Sequence, residues 1–336
     1  MKLDRFLLDH RLSPILVDVG ASGAVHRSWR DLAPAATCLA FDPDPRDLSD
    51  RLGASYLRAI VEPSAVVAEK DMQTAQFQLT RHPHCSSTLH PDPAVLAEYA
   101  FSDLFDVVGT AEVPATTIDQ ALAKTGLSHI DWLKLDTQGT DLTLLQSLAD
   151  DTLASLKIIE VEPGYRSFYA GEDRFDQAHR FLLDRGFLLA GLRNQTFVPV
   201  PPKTLADLET RSGIRGQAML RRAGRMPTAA EATYIREAEA FAAVEGEDHV
   251  LIHMACALAI GQNALAVRIA ELRSDREDAS PAIAALVDLA VRRLRRMVQP
   301  GGPTLTDFVR HYTLPFLPSR VETALRGAYR AMRRSS

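Results

Sequence analysis

Two short motifs near the start of the chain carry residues suited to ligand binding. The first, Ile15-Leu-Val-Asp18-Val-Gly20-Ala-Ser-Gly23, is an apolar run that ends in a glycine turn. The second, Cys38-Leu-Ala-Phe-Asp42-Pro43, is an apolar run that ends in a carboxylate. In an open parallel sheet, a glycine turn lets a ligand approach the backbone, and an acid after the next strand accepts hydrogen bonds from ribose hydroxyls. The two motifs therefore predict a site for an adenosine-bearing cofactor.

The position of Asp18 indicates which cofactor this is. It stands two residues before Gly20, and the motif departs from the G-x-G-x-x-G pattern of dinucleotide sites. A carboxylate suits the cationic methionine end of S-adenosylmethionine and would repel the pyrophosphate of NAD. We therefore expect S-adenosylmethionine. A Rossmann-like enzyme that binds NAD, or a buried aspartate with only a structural role, are the alternatives.

More acids follow two later apolar runs. In Lys134-Leu-Asp136-Thr-Gln138, strand alternation places Lys134 and Asp136 on one side. Asp136 could accept a proton from a substrate hydroxyl or orient that hydroxyl, and Lys134 could lower its pKa or neutralise it. A structural ion pair or a helix cap is the alternative. Glu160 and Glu162 show the same alternation at the end of the next strand, which suggests a role in orienting the substrate or in binding a divalent cation.

A histidine-rich segment, His82-Pro-His84-Cys85-Ser86-Ser87 with His90, offers possible metal ligands. A zinc site needs a fuller ligand set at a defined spacing. We therefore expect no metal here and interpret the segment as a loop over the cofactor or the substrate.

Strand-like and helix-like segments alternate over the first two hundred residues. Strands are predicted at 15–19, 38–41, 56–61, 131–136 and 156–162, and helices at 47–52, 117–126, 139–148 and 175–185. A hairpin is predicted at 66–80, and a closing antiparallel pair at 187–192 and 196–200. This alternation predicts an α/β fold with a doubly wound sheet, in which ligands bind at the carboxyl ends of the strands. The acids described above all fall at those ends.

The composition changes after Pro199-Val-Pro-Pro-Lys203. We predict a cofactor-binding domain at 1–200 and a helical domain at 201–336. Helices are predicted at 229–244, 250–261, 264–272, 281–297 and 321–334. From residue 281 onwards ten arginines stand against three acids, so this part carries about +7 while the rest carries about −12. The basic part could contact an anionic membrane surface or an acidic protein. A solvated helix face is the alternative.

The overall composition is that of a globular protein of 336 residues with a net charge of −5. No apolar run reaches the ~20 residues that span a bilayer, and the N-terminal segment lacks the features of a signal peptide. The three cysteines, Cys38, Cys85 and Cys256, are too scattered for a disulfide framework. We expect a cytoplasmic protein, with possible peripheral attachment at the inner membrane face, and no nucleic-acid partner.

Taken together, the motifs resemble those of the FkbM-like family of S-adenosylmethionine-dependent methyltransferases over residues 15–200. The matching segments are Leu16-Val-Asp-Val-Gly-Ala, Ala40-Phe-Asp-Pro, Cys85-Ser-Ser, Thr117-Ile-Asp, Asp131-Trp-Leu-Lys-Leu-Asp-Thr-Gln-Gly-Thr-Asp-Leu and Ile159-Glu-Val-Glu. The resemblance implies a class I methyltransferase (Rossmann-like) sheet, mostly parallel with an antiparallel closing strand. It also implies O-methylation of a hydroxyl on a sugar, glycan, glycolipid or small metabolite.

The resemblance and the residue patterns described above together predict roles for individual residues. The cofactor would contact Asp18, Gly20, Ala21, Ser22, Gly23, Asp42, Pro43 and Ile60. The catalytic group would comprise Lys134, Asp136, Glu160 and Glu162, and the substrate contacts or lid Ser86, Ser87 and Gln138. Many members have Glu where Gln138 stands, and because an amide cannot act as a base we place no proton transfer there. A catalytically inactive Rossmann-like module with a helical partner-binding domain is the alternative function.

Overall fold

The computed structural model of the chain describes residues 1–21, 25–43, 52–242, 246–274 and 280–298. The strands in these ranges are β1 (Ile15–Val19), β2 (Thr37–Phe41), β3 (Arg58–Glu62), β4 (Ala65–Val66), β5 (Thr74–Thr80), β6 (Val107–Thr116), β7 (Trp132–Leu135), β8 (Ile158–Val161), β9 (Phe187–Phe197) and β10 (Met226–Arg236). The helices are α1 (Leu3–Asp9), α2 (Pro93–Leu96), α3 (Ile118–Thr125), α4 (Asp141–Ser147), α5 (Asp150–Ser155), α6 (Phe175–Leu183), α7 (Pro202–Ser212), α8 (Gly216–Arg222), α9 (Ala238–Ala242), α10 (Glu247–Ala259), α11 (Asn263–Ser274) and α12 (Pro281–Val298).

Seven strands form one sheet in the order β3-β2-β1-β7-β8-β10-β9. The first five strands in this order, β3, β2, β1, β7 and β8, pair in parallel. β10 runs antiparallel to both of its neighbours, β8 and β9. The prediction of an α/β fold with a mostly parallel sheet is confirmed. The arrangement places the carboxyl ends of β1, β2, β7 and β8 at one edge, which is where ligands bind in such sheets.

Several local predictions hold because short-range chemistry specifies them. Thr117 caps α3: the Gln120 amide donates to the Thr117 hydroxyl at 3.2 Å, and the Thr117 amide donates to the Gln120 side chain at 3.0 Å. The helix ends at Gly126, whose φ of 72° is left-handed. The predicted helices at 47–52 and 321–334 lie largely or wholly outside the described residues.

The hairpin predicted at 66–80 is wrong. β4 pairs in parallel with β6, and β5 pairs antiparallel with β6, so β6 lies between the two segments that were expected to pair with each other. No strand was predicted over β6, because Gly109 and Pro114, both disfavoured inside strands, interrupt its residues and none of its side chains is fully buried.

The closing antiparallel pair predicted at 187–200 is also wrong. Residues 187–197 form the single strand β9, whose partner is β10. β10 in turn replaces the first part of the helix predicted at 229–244 and inserts between β8 and β9. The predicted boundary at residue 200 therefore separates β9 from its own partner strand, and the short helices α7 and α8 lie between them.

Apolar residues cover both faces of the sheet. Val17, Leu39 and Leu133 face a cluster that includes α3, α4 and α6, whereas Leu16 and Trp132 face a cluster that includes α1, α10, α11 and α12. The helices after β10 thus share the core of the sheet. Among the described residues, no helix is long and apolar enough to cross a bilayer.

Candidate functional site

The turn after β1 packs directly against the end of β7. The amides of Gly20 and Ala21 donate to the carbonyl oxygen of Phe41, at 3.2 and 3.1 Å. Gly20 has a left-handed φ of 82°, and a Cβ added there would overlap the carbonyl oxygen of Asp136. Glycine is therefore required at residue 20 for both backbone conformation and space. The next predicted cofactor contacts, Ser22 and Gly23, lie outside the described residues.

Three charged residues from adjacent strands form a row on one face of the sheet. Strand register places Asp18 opposite Lys134 and Lys134 opposite Glu160. Neighbouring in-register residues point to the same side of a sheet, so the row follows directly from the pairing. The row shares its face with α10, α11 and α12, and it lies towards the carboxyl ends of the strands.

Lys134 connects the β1 motif with the β7 motif. Its Nζ lies 3.5 Å from Asp18 Oδ1 and 3.5 Å from Asp136 Oδ2. Burial opposes the charged form of Lys134, but the two carboxylates outweigh it and raise the lysine pKa. Burial raises the pKa of Asp18 as well, with Lys134 acting in the opposite direction. The expected approach of Lys134 and Asp136 is confirmed, and Asp18 joins them.

The turn after Asp136 is held in an uncommon conformation. Gln138 has a φ of 57° and Gly139 one of 115°. The Gln138 side chain donates from Nε2 to Asp136 Oδ1 at 2.9 Å. A non-glycine residue in the left-handed region needs support from its surroundings, and such residues concentrate at functional sites. The turn presents Asp136 with one oxygen near Gln138 and the other near Lys134.

The loop that carries Ser86 and Ser87 contacts this turn. Ser87 is fully buried and its hydroxyl donates to the carbonyl oxygen of Gln138 at 2.8 Å. The Tyr169 hydroxyl donates to the Cys85 carbonyl oxygen at 2.8 Å and lies 3.4 Å from Gln138 Oε1. The Ser86 hydroxyl accepts a bond from a backbone amide of β5. The structure thus brings the loop against the site, while the role of the two serines as substrate contacts or lid stays a prediction.

Glu160 lies beside two aromatic residues, of which Trp132 forms a hydrogen bond with it. Trp132 Nε1 donates to Glu160 Oε1 at 2.8 Å, and His26 Nδ1 lies 3.6 Å from the same oxygen. Burial, with help from Lys134, lowers the pKa of His26 to about 4, so this imidazole is neutral at pH 7. Burial raises the pKa of Glu160 to about 7. Glu160 therefore exchanges its proton near neutral pH.

Asp141 fixes the end of β8 relative to the end of β7. Its Oδ2 accepts from the Glu162 amide at 2.7 Å, and its Oδ1 accepts from the Thr137 amide at 3.1 Å and the Thr137 hydroxyl at 2.6 Å. The Glu162 side chain receives a weaker bond from Gln195 Nε2 at 3.4 Å. Burial, together with the nearby charge of Asp136, raises the pKa of Glu162 to about 8.

A cavity of about 150 Å³ opens beside these carboxylates. Its lining includes Lys134, Glu160, Glu162, His26 and Arg193. Arg193 also forms an ion pair with Glu231 across the β9–β10 pair. Whole ligand sites usually measure about 300–1,000 Å³. The cavity therefore has room for the reacting part of an acceptor rather than for a complete large ligand.

The residues predicted to hold the adenosine lie around the end of β2. The Asp42 amide donates to the Glu62 carbonyl oxygen at 3.3 Å, and Asp42 and Pro43 are half-buried. Ile60 lies in β3 opposite Leu39 and packs against the core on the face opposite Asp18. Their roles in cofactor binding stay predictions.

The charge of this edge fits a cationic ligand. Asp18, Asp136, Glu160 and Glu162 gather around the buried Lys134. Among the described residues, Lys134 is the only cation that contacts Asp18 or Asp136. Because burial raises the pKa values of Asp18, Glu160 and Glu162, a cation placed here would stabilise their ionised forms.

Several side chains that support the site were not predicted from the sequence. Trp132 and Asp141 belong to the same motif as Lys134, and strand alternation could have placed Trp132 on the same face. His26 and Tyr169 lie on separate loops, and no local pattern marks them. Within the described parts of the chain, no group of three or more His, Cys, Asp or Glu side chains could hold a metal ion.

Comparison with known proteins adds one finding. Residues 18–189 match the family model described as the methyltransferase FkbM domain. This segment covers just over half of the chain and extends from Asp18 in β1 into β9. Searches of curated proteins and of solved structures returned no significant match.

Proposed function

Because the chain belongs to the FkbM methyltransferase family, we propose that it transfers a methyl group from S-adenosylmethionine to a hydroxyl oxygen. In this proposal the acceptor is a sugar hydroxyl of a glycan or glycolipid, or a hydroxyl of a small metabolite. One observation carries the proposal: the Gly20 turn meets Asp136 at the edge of the sheet, and Lys134 lies 3.5 Å from both Asp18 and Asp136. The arrangement joins a cofactor motif to a polar reaction centre.

The cofactor end of the proposed site comprises Asp18, the Gly20 turn and Asp42. S-adenosylmethionine supplies the methyl group on a positively charged sulfur, so that transfer is an in-line displacement by the acceptor oxygen. Asp18 attracts the cationic methionine end, and Asp42 accepts hydrogen bonds from the ribose hydroxyls. Lys134 offsets part of the negative charge, which keeps the buried carboxylates compatible with folding.

The acceptor end comprises Asp136 and Glu162. Asp136 has its oxygens beside Gln138 and Lys134, and its remaining lone pairs can accept a hydrogen bond from the acceptor hydroxyl and orient it. Glu162 lines the cavity, and its pKa of about 8 suits a general base at neutral to mildly alkaline pH. We therefore assign orientation of the hydroxyl to Asp136 and acceptance of its proton to Glu162.

Calorimetric titration tests the cofactor assignment. The purified chain should bind S-adenosylmethionine and its demethylated product with micromolar affinity, and should bind NAD far more weakly. Asp42→Ala should lower the affinity for S-adenosylmethionine and its product about tenfold, because about 1.4 kcal/mol of charge-assisted hydrogen bonding to the ribose is lost. Asp106→Ala, which removes an exposed carboxylate of the Arg81 ion pair, is the matched control. Binding of NAD alone would overturn the assignment.

Kinetics separate binding from chemistry. Transfer of labelled methyl from S-adenosylmethionine to a panel of monosaccharides, sugar nucleotides and small phenols would identify an acceptor class. Asp136→Asn and Glu162→Gln should each lower turnover by about 10²-fold or more and leave cofactor affinity within about twofold. Unchanged turnover would remove that residue from the mechanism. Cofactor binding without transfer to any acceptor would favour the inactive interaction module instead.

A further inference from the structure

A larger cleft lies between the N-terminal segment and the last described helix. Its volume is about 360 Å³, compared with about 150 Å³ for the cavity beside Glu162. Three separate parts of the chain line it: residues 1–4, residues 30–31 and one face of α12. The cleft shares no lining residue with the cavity beside Glu162. It is thus a separate feature that methyl transfer leaves unexplained.

Cationic side chains outnumber acidic ones around this cleft. Its lining contains the cations Lys2, Arg30, Arg292, Arg293 and Arg296. The acidic side chains in the lining are Asp4 and Asp31. The excess of three positive charges around one concave surface favours an anionic ligand.

The arginines differ in how far other contacts already engage them. Arg293 already has two partners within the chain: it donates to the Leu258 carbonyl oxygen at 2.6 Å and lies 3.3 Å from Asp31 Oδ2. Arg292 has only a long, solvent-exposed contact of 3.9 Å with Asp288. Within the described part of the chain, neither Arg30 nor Arg296 forms an ion pair. Arg30, Arg292 and Arg296 therefore remain available to a ligand.

The spacing along α12 concentrates these charges on one face. Leu289, Arg292, Arg293 and Arg296 follow the i, i+3, i+4, i+7 pattern of a single helix face. Arg292 and Arg296 are like charges four residues apart, which repel each other unless an anion lies between them. Stabilisation of the helix C-terminus explains arginines in the last turn, but it does not explain why Arg30 is brought to the same cleft from a different segment.

We propose that this cleft binds a phosphate-bearing anion. Guanidinium groups present paired N–H donors that match phosphate oxygens, and here at least three of them converge on one space. The volume falls within the range of small-molecule sites. A soluble phosphorylated compound and the phosphodiester headgroup of a lipid share this chemistry.

Two titrations of the full-length chain test the proposal and distinguish the two sources. The first uses inorganic pyrophosphate, and the second measures co-sedimentation with vesicles of phosphatidylglycerol against vesicles of phosphatidylcholine. The variants Arg296→Ala and Arg30→Ala should each weaken binding of the effective probe roughly tenfold, the effect of one charge-assisted hydrogen bond. Arg295→Ala is the matched control, because Arg295 is an exposed arginine of the same helix that does not line the cleft.

Each outcome decides the proposal. Binding of pyrophosphate that is sensitive to Arg296 and Arg30 but not to Arg295 supports a site for soluble phosphorylated ligands. The same pattern with phosphatidylglycerol vesicles alone supports a headgroup site. The proposal is overturned if neither probe binds, or if Arg295→Ala lowers the affinity for the probe as much as Arg296→Ala does. It is also overturned if Arg30→Ala binds the probe with wild-type affinity. None of these measurements depends on methyl transfer.

Discussion

At the scale of single residues, Lys134 determines how the candidate site is held together. It is buried, yet two carboxylates keep it charged, and it joins Asp18 at the end of β1 to Asp136 just after β7. Removal of one member of such a buried group leaves the others without compensation, which is more destabilising than the absence of the whole group. Burial outweighs the lysine charge at the neighbouring Asp18, Glu160 and Glu162, whose pKa values are raised, so these carboxyl groups bind protons more tightly.

Glu160 makes this effect measurable. Burial raises its pKa from an ordinary value of 4.5 to about 7, so the folded state binds this proton more tightly than the unfolded chain does. The stabilisation is complete below pH 4.5 and is lost as the pH rises through 7. The Glu160→Gln variant keeps a side-chain oxygen that accepts the hydrogen bond from Trp132, but residue 160 no longer gains or loses a proton. The variant should therefore gain up to about 3 kcal/mol of stability relative to the wild type between pH 4.5 and pH 8.

Urea unfolding at pH 5 and pH 8 measures this difference. Glu112→Gln is the control, because Glu112 is an exposed carboxylate on β6. An identical pH dependence for the wild type and Glu160→Gln would show that the Glu160 proton is not held by the fold.

At the scale of elements, the glycine turn after β1 depends on both conformation and space. Gly20 and Gly126 both have left-handed φ angles, but only at Gly20 would a Cβ meet other atoms, namely the carbonyl group of Asp136. Gly126→Ala should cost about 1 kcal/mol from backbone strain alone. Gly20→Ala should cost roughly 3 kcal/mol, because overlap adds to the same strain.

Chemical unfolding of the two variants compares these costs directly. Gly20→Ala should also weaken the binding of S-adenosylmethionine, since the turn and Asp136 must move apart. The Gly126→Ala variant should bind it with wild-type affinity. Equal destabilisation by the two substitutions would contradict the close packing of the turn on β7.

At the scale of the whole molecule, the sheet is completed by a strand that follows two intervening helices. β10 pairs with β8 on one side and β9 on the other, and the helices after it cover the same core as Leu16 and Trp132. A chain that ends at residue 201 should therefore lose cooperative thermal unfolding. A chain that ends at residue 298 keeps every described residue of the two main core clusters, and it should retain cooperative unfolding. Circular dichroism melts of both chains test this, and a cooperative transition in the shorter chain would contradict it.

The sequence by itself determined the features that depend on neighbouring residues. The apolar runs that became β1 and β7, the Thr117 capping box and the acids at the strand ends are all specified within a few positions, because alternation and turn chemistry are local. They were sufficient to indicate the family and to select Asp18, Lys134 and Asp136.

Only the tertiary structure decided which distant segments meet. The choice of β10 as the partner of β9, the position of β6 between β4 and β5, the contact of His26 with Glu160 and the convergence of Arg30 with α12 all join residues far apart in the chain. Strand pairing is selected by the total burial and hydrogen bonding of the whole sheet. A segment such as 226–236, whose residues suit either a helix or a strand, takes its conformation from that context.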